Sequence, residues 1–137
     1  MNTANTLQAN DAFIPHSRPT LGEDEAQAVA AVVRSGHIAE GKAVDRFEKA
    51  FAKKMGVQQA VAVSSGTAAL HLTLLAIGVG PEDEVIIPSY VCTALLYAVA
   101  YVGAKPILAE IDPQTFNIDP GDVQKRISRR TKAIIVP

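Results

Sequence analysis

Between residues 60 and 137 the hydrophobic pattern keeps changing period, and this alternation restricts the fold more than any other feature of the chain. QAVAVSS, EVIIPS, KPILAEID and RTKAIIVP are short, β-rich apolar runs. Between them stand GTAALHLTLLAIG, YVCTALLYAVAYVG and a short segment opening at Asp119-Pro120-Gly121. The first two intervening segments are apolar nearly all round, which predicts buried helices. The third has aspartate as a cap and proline in its first turn. A β-α-β-α-β-α-β order predicts an α/β fold, a mostly parallel sheet covered by helices. Strands that are continuous apolar runs are expected to be buried on both faces.

The part before this unit has a different character. Residues 1–13 are polar and read as a disordered tail. PHSRPTLGEDE, with two prolines and a glycine, reads as an extended arm. Glu23 and Asp24 favour the first turn of a helix that runs to about Arg34 and stops at Ser35-Gly36. In KAVDRFEKAFAKKMG, Val44, Phe47, Phe51 and Met55 form one apolar stripe, and Gly56 is a good stop. The expected division is therefore a tail (1–13), an arm with two helices (14–59) and the α/β unit (60–137).

At 137 residues the chain has the length of one domain and can bury a core. A composition 48% hydrophobic and 20% charged argues against disorder. A net charge of −1 gives no electrostatic footprint for nucleic acid or an anionic membrane. No run is long and apolar enough to span a bilayer, and the first residues lack the pattern of a signal peptide. The one cysteine, Cys92, excludes an internal disulfide and fits a reducing cytoplasm.

Parallel sheets bind ligands at the carboxyl ends of their strands. Here those ends are Ser64-Ser65-Gly66, Pro88-Ser89-Tyr90 and Asp112-Pro113. SSGTAAL, at 64–70, joins a strand-like run directly to a helix-like one. A helix N-terminus offers unpaired N–H groups and partial positive charge, the ingredients of a phosphate site. Gly66 lets an oxygen approach the backbone closely. Thr67 adds a hydroxyl, and Ser65 either caps the helix or turns to a ligand. On these residues alone a plain N-cap and tight turn is the simpler reading. Neither GxxxxGK followed by Ser or Thr, nor GxGxxG, is present. His16, His37 and His71 lack metal spacing. His71 reads as a hydrogen-bonded core residue and Cys92 as a small buried hydrophobe. No lysine sits in an apolar stretch that would lower its pKa.

As a set, IPHSRPTLGEDE, RSGHIAEGKAVDRFEKAFAKKMG, AVAVSSGTAALHLTLLAIGVGPEDEVIIPSY, YVGAKPILAEIDPQTFNIDP and RTKAIIVP resemble the DegT/DnrJ/StrS family of sugar aminotransferases. The resemblance runs from about residue 14 to residue 137. It implies the three-layer large domain of a fold-type-I enzyme dependent on pyridoxal 5′-phosphate (PLP). It implies that Ser65, Gly66, Thr67 and Ala68 hold the cofactor phosphate, mainly through backbone N–H groups. The implied reaction moves an amino group from an amino acid, commonly glutamate, to a keto nucleotide-linked sugar. Family members are homodimers, and the arm and the Phe47–Phe51 helix are candidate interface pieces. The position of Cys92 usually carries an aromatic ring stacked on the cofactor, so a thiol there is a departure. Tyr90 is expected to aim elsewhere. The family's Schiff-base lysine, and the aspartate that pairs with the pyridine nitrogen, match positions after Pro137. The expectation is a truncated large domain, inactive alone. The alternative is a non-catalytic remnant that binds a phosphorylated ligand or a partner as a regulator. A flavodoxin-like or receiver-like module would want a flavin loop or acidic cluster at the strand ends, and neither is well formed here.

Overall fold

A computed structural model describes residues 15–137. The expected disordered tail, 1–13, lies outside the described residues. The chain divides into two compact units, one ending at Ala60 and the other spanning Val61–Pro137.

The first unit holds α1 (Glu23–Ser35) and α2 (Lys42–Met55). Glu23, Asp24 and Glu25 complement the dipole of α1, and Glu25 Oε2 accepts the Gly22 N–H at 2.7 Å. Helix α2 stops where the sequence places its glycine. Gly56 takes φ 69°, its N–H donates to Lys53 O at 3.3 Å, and the Val57 N–H donates to Ala52 O at 3.0 Å. The predicted stripe is present along α2, with the Phe47 and Phe51 rings 5.9 Å apart, and both rings are exposed.

The second unit contains α3 (Gly66–Ala76), β1 (Glu84–Pro88), α4 (Ala94–Tyr101), β2 (Lys105–Ala109), α5 (Pro120–Arg126) and β3 (Thr131–Ile134). The sheet order is β2-β1-β3, and both pairings are parallel. The α/β class expected from the alternation is the class observed. All five residues of β1 are buried, as its unbroken apolar run requires. Val85 and Ile87 join a core cluster with Leu74, Leu95, Val99 and Val102. Ile86 points to the opposite face and is also fully buried. Burial of each such Val or Ile contributes roughly 1.5–3 kcal/mol. Strand β2 is an edge among the described residues. The Lys105 N–H donates to Asp83 O at 2.9 Å, toward β1, so by alternation the Pro106 nitrogen faces the open side. Beside β3, at the other edge, an apolar groove of about 230 Å³ is lined by Leu70, Leu74, Ile77, Ala133 and Ile135.

The amino end of the sheet is clamped by a buried acid. Glu84 Oε1 accepts from Arg130 Nη2 at 2.6 Å and Nε at 3.0 Å, and Oε2 accepts from the Ser128 hydroxyl at 2.6 Å. The Glu84 N–H donates to Arg130 O at 2.8 Å. The Ser128 hydroxyl, and then the Arg130 guanidinium, hold the Glu84 carboxyl below the usual carboxylate range against the opposing effect of burial.

Four expectations are corrected. QAVAVSS was expected as the first strand, and residues 59–65 join no ladder among the described residues. An apolar run becomes a strand only beside another strand, and the three strands here are ordered without it. The second helix was expected from Tyr90 and begins at Ala94, because residues 89–93 make the turn out of β1. KPILAEID was expected to stay extended to Asp112, and β2 ends at Ala109. The Glu110 N–H is taken by Asp122 Oδ2 at 2.8 Å, Glu110 O accepts the Asp119 N–H at 2.8 Å, and an antiparallel Ile111–Ile118 bridge closes an excursion. Helices α3 and α4 were expected to be buried all round. They bury one face, Leu74 on α3 and Leu95, Ala98 and Val99 on α4, while Leu72, Leu75, Tyr97 and Tyr101 are exposed.

The clamp predicts acid lability. A lowered pKa in the folded state means that its stabilisation is complete above the ordinary glutamate range and is lost as pH falls through the lowered value. Melting temperature should therefore drop on acidification below about pH 5. Asp112, held low by the Thr115 and Gln114 N–H groups, and Asp122, held low by the Glu110 N–H and Arg126, act with the same sign. Thermal melts across this range should show a shallower acid slope for Glu84→Gln, with a lower Tm at neutral pH. An unchanged slope would contradict the role given to Glu84.

Candidate anion-binding site

Topology sets where α3 begins. Its 11 residues span about 16 Å at 1.5 Å per residue, close to the length of a five-residue strand. It ends at Ala76, and the short connection 77–83 feeds the amino end of β1. The N-terminus of α3 therefore lies at the carboxyl end of the sheet, with the loop that follows Pro88. The order β2-β1-β3 sends consecutive connections to opposite sides of β1, and such a switch point opens a crevice outside the strand ends.

In the first turn of α3 some donors are engaged by the fold and some are open. Ser65 is the N-cap, extended at φ −164° and ψ 163°. Its Oγ accepts the Ala68 N–H at 3.1 Å, and its carbonyl accepts the Ala69 N–H at 3.0 Å. The Gly66 and Thr67 N–H groups have no acceptor among the described residues, as the first helical positions must unless something caps them. No acidic side chain occupies this turn. A Cβ built on Gly66 would meet nothing within 4 Å, so a ligand oxygen has open access to its backbone. The N-cap reading of SSGTAAL holds at Ser65, and the Gly66 and Thr67 amides stay open, which leaves room for the anion reading. A phosphate monoester fits this donor set. Of the predicted contacts, the Ala68 N–H and the Ser65 hydroxyl are engaged with each other.

Cys92 lies at the same end, in the loop from β1 to α4, and its carbonyl accepts the Leu95 N–H at 3.4 Å. It is exposed, which corrects its reading as a small buried hydrophobe. An exposed thiol in this loop can pack against a ring that enters the crevice. His71 is no core residue either. It is half-buried and meets the Tyr101 ring edge-on at 5.4 Å. Within this unit, Lys105 and Lys132 lie toward the amino ends of their strands, and Lys125 lies in the last turn of α5. None is at the carboxyl end.

One contact went unforeseen. Tyr90 turns toward Phe116, with ring centroids 6.0 Å apart and planes tilted by 46°. The signal was present in DPQTF. Asp112 Oδ1 accepts the Gln114 and Thr115 N–H groups, each at 2.8 Å, and this tight turn carries residue 116 back toward β1.

A parallel sheet with an open helix N-terminus at its carboxyl end defines an α/β protein with free donors at the end where such sheets take ligands. More particularly, the chain belongs to the DegT/DnrJ/EryC1/StrS aminotransferase family, which matches residues 19–137. It is 41% identical over 129 residues to the spore coat polysaccharide biosynthesis protein SpsC of Bacillus subtilis, covering 94% of this chain and 33% of SpsC. Among solved structures it superposes on Spr1654 of Streptococcus pneumoniae, assigned as a sugar aminotransferase and solved in a PMP-form. The TM-score is 0.84 at 36% identity, over 90% of this chain and 31% of Spr1654. The aminotransferase TlmJ of Streptoalloteichus hindustanus gives 0.82 at 40% identity, over 89% of this chain and 34% of TlmJ. The chain spans about a third of the length of these relatives.

The division of donors is testable. Ser65→Ala should lower stability by about 1 kcal/mol through loss of the cap. Phosphate affinity should hold, because the Gly66 and Thr67 amides remain. Urea melts and a phosphate titration of the same variant check both halves.

Proposed function

We propose that this chain is the N-terminal part of a PLP-dependent aminotransferase that moves an amino group from an amino acid, glutamate first among them, to the keto carbon of a nucleotide-linked sugar. The observation that carries the reading is the pair of unengaged amides at Gly66 and Thr67, set at the ligand end of the sheet in a chain of this family. That Spr1654 has been solved in PLP- and PMP-forms supports it.

When bound, the cofactor supplies an electron sink. The residues of this chain supply its anchor. The Gly66 and Thr67 N–H groups and the Thr67 hydroxyl hold the phosphate, with the α3 dipole favouring its negative charge. Ser65 fixes the turn that presents them. The Cys92 sulfur packs on the ring face with less contact area than an aromatic side chain would give. No lysine of the α/β unit lies at this end, so on this reading the unit supplies the phosphate anchor without the Schiff-base lysine and does not transaminate by itself. The same reading makes the working enzyme a homodimer in the cytoplasm, with nucleotide-sugar and amino-acid substrates.

Gly66→Pro tests the anchor. Proline is well tolerated at the first helical position, and Ser65 already has the extended backbone that proline requires before it, so the helix should persist with one donor removed. Phosphorus NMR titration with PLP should show affinity about tenfold weaker, the expected loss for one hydrogen bond to a charged group. Wild-type affinity in this variant would overturn the assignment. Borohydride trapping with PLP, read by mass spectrometry, should label no lysine of this chain ahead of the others. One dominant site would show that the Schiff-base lysine is here after all.

A further inference from the structure

Phe116 holds a backbone conformation that its side chain does not favour. Its φ is 60°, and it is the one non-glycine residue with positive φ among those described. That region crowds Cβ against the carbonyl, and a bulky residue there is an outlier. Glycine or asparagine would serve such a turn at less strain. The conformation is held by many bonds. Asp112 O accepts the Phe116 N–H at 2.8 Å, the Asp112 N–H donates to Asn117 O at 2.8 Å, and the Thr115 hydroxyl donates to Asp112 Oδ1 at 3.1 Å. The ring thus held is not rewarded by burial: Phe116 is 61% exposed and its neighbour Tyr90 is 70% exposed. An observed strain of this kind, at a ligand-binding end, points to function rather than packing.

We propose that Tyr90 and Phe116 form an aromatic wall that takes the sugar ring of the substrate face-on. This rests on the reading that the carboxyl end of the sheet is the active-site end. Tyr90 follows β1 two residues before Cys92, so the wall stands at the rim on the β2 side of the cofactor loop. The tilted pair support one another and leave their outer faces open. The C–H face of a pyranose carries slight positive charge, and the face of an aromatic ring is negative, so the two lie flat together. The hydroxyls at the ring's edge meet polar groups on the same rim: the Tyr90 phenol, and the Ser89 hydroxyl, which donates to Glu110 Oε2 at 3.4 Å.

Saturation-transfer difference NMR of the chain with UDP-glucose tests this, since one probe carries both a pyranose and a base. The pyranose C–H resonances should be saturated. Phe116→Gly and Tyr90→Ala should each weaken the effect about tenfold, the worth of one aromatic contact. Phe116→Gly should melt no lower than the parent, because glycine adopts positive φ freely. A merely structural ring would instead show a lower Tm on removal. Saturation confined to the uracil protons, saturation unchanged in both variants, or none at all would overturn the proposal. PLP titration of the same variants separates the two sites. Phosphate affinity lost in Gly66→Pro with pyranose saturation intact isolates the α3 anchor, and the reverse pattern in Phe116→Gly isolates the wall.

Discussion

Every strand pairing in the α/β unit is made to β1, and the unit stands or falls with that strand's burial. EVIIP is apolar beyond its first residue, so it can be covered on both faces and still bond a neighbour along each edge. The exception, Glu84, sits at the amino end, where its charge is met by Ser128 and Arg130 in the turn that leads into β3. A buried acid left unpaired would destabilise the strand severely. Paired, it ties the amino end of the sheet together and leaves the carboxyl end to loops. Which end is held fixed thus follows from where the charge falls in a five-residue strand.

Much of this was legible in the residues. Helix stops at Gly36 and Gly56, the Asp119 cap and the parallel pairing all follow from local chemistry and from the alternation of period. What was illegible depended on partners distant in sequence. Residues 59–65 have the composition of a strand, but composition cannot place them in a ladder. The true start of α4 depended on how β1 leaves the sheet, and the end of β2 on Asp122, a dozen residues downstream. The apolar faces of α3 and α4 are a clearer case. Hydropathy reports that a surface wants cover, not whether cover has arrived.

The first turn of α3 shows why a cap and the proposed ligand site are compatible. A helix start has more donors than one serine can satisfy. Ser65 engages the Ala68 amide, which stiffens the turn, and the two amides nearest the opening stay available. Gly66 keeps the approach clear. Cys92 follows a different logic. A small, exposed thiol leaves more room at this end of the sheet than a ring would. The aromatic surface of this end is carried by Tyr90, on the same loop, and by Phe116, on the loop after β2.

Pro106 gives the sheet a direction. Its nitrogen faces the open side of β2 and has no hydrogen to donate, so another chain docking there would find a gap in the middle of its ladder. The opposite margin, at β3, keeps its amides and is flanked by the apolar trough beneath α3. The two borders therefore differ in what they offer a neighbour: the one at β2 lacks a donor in mid-strand, and the one at β3 does not.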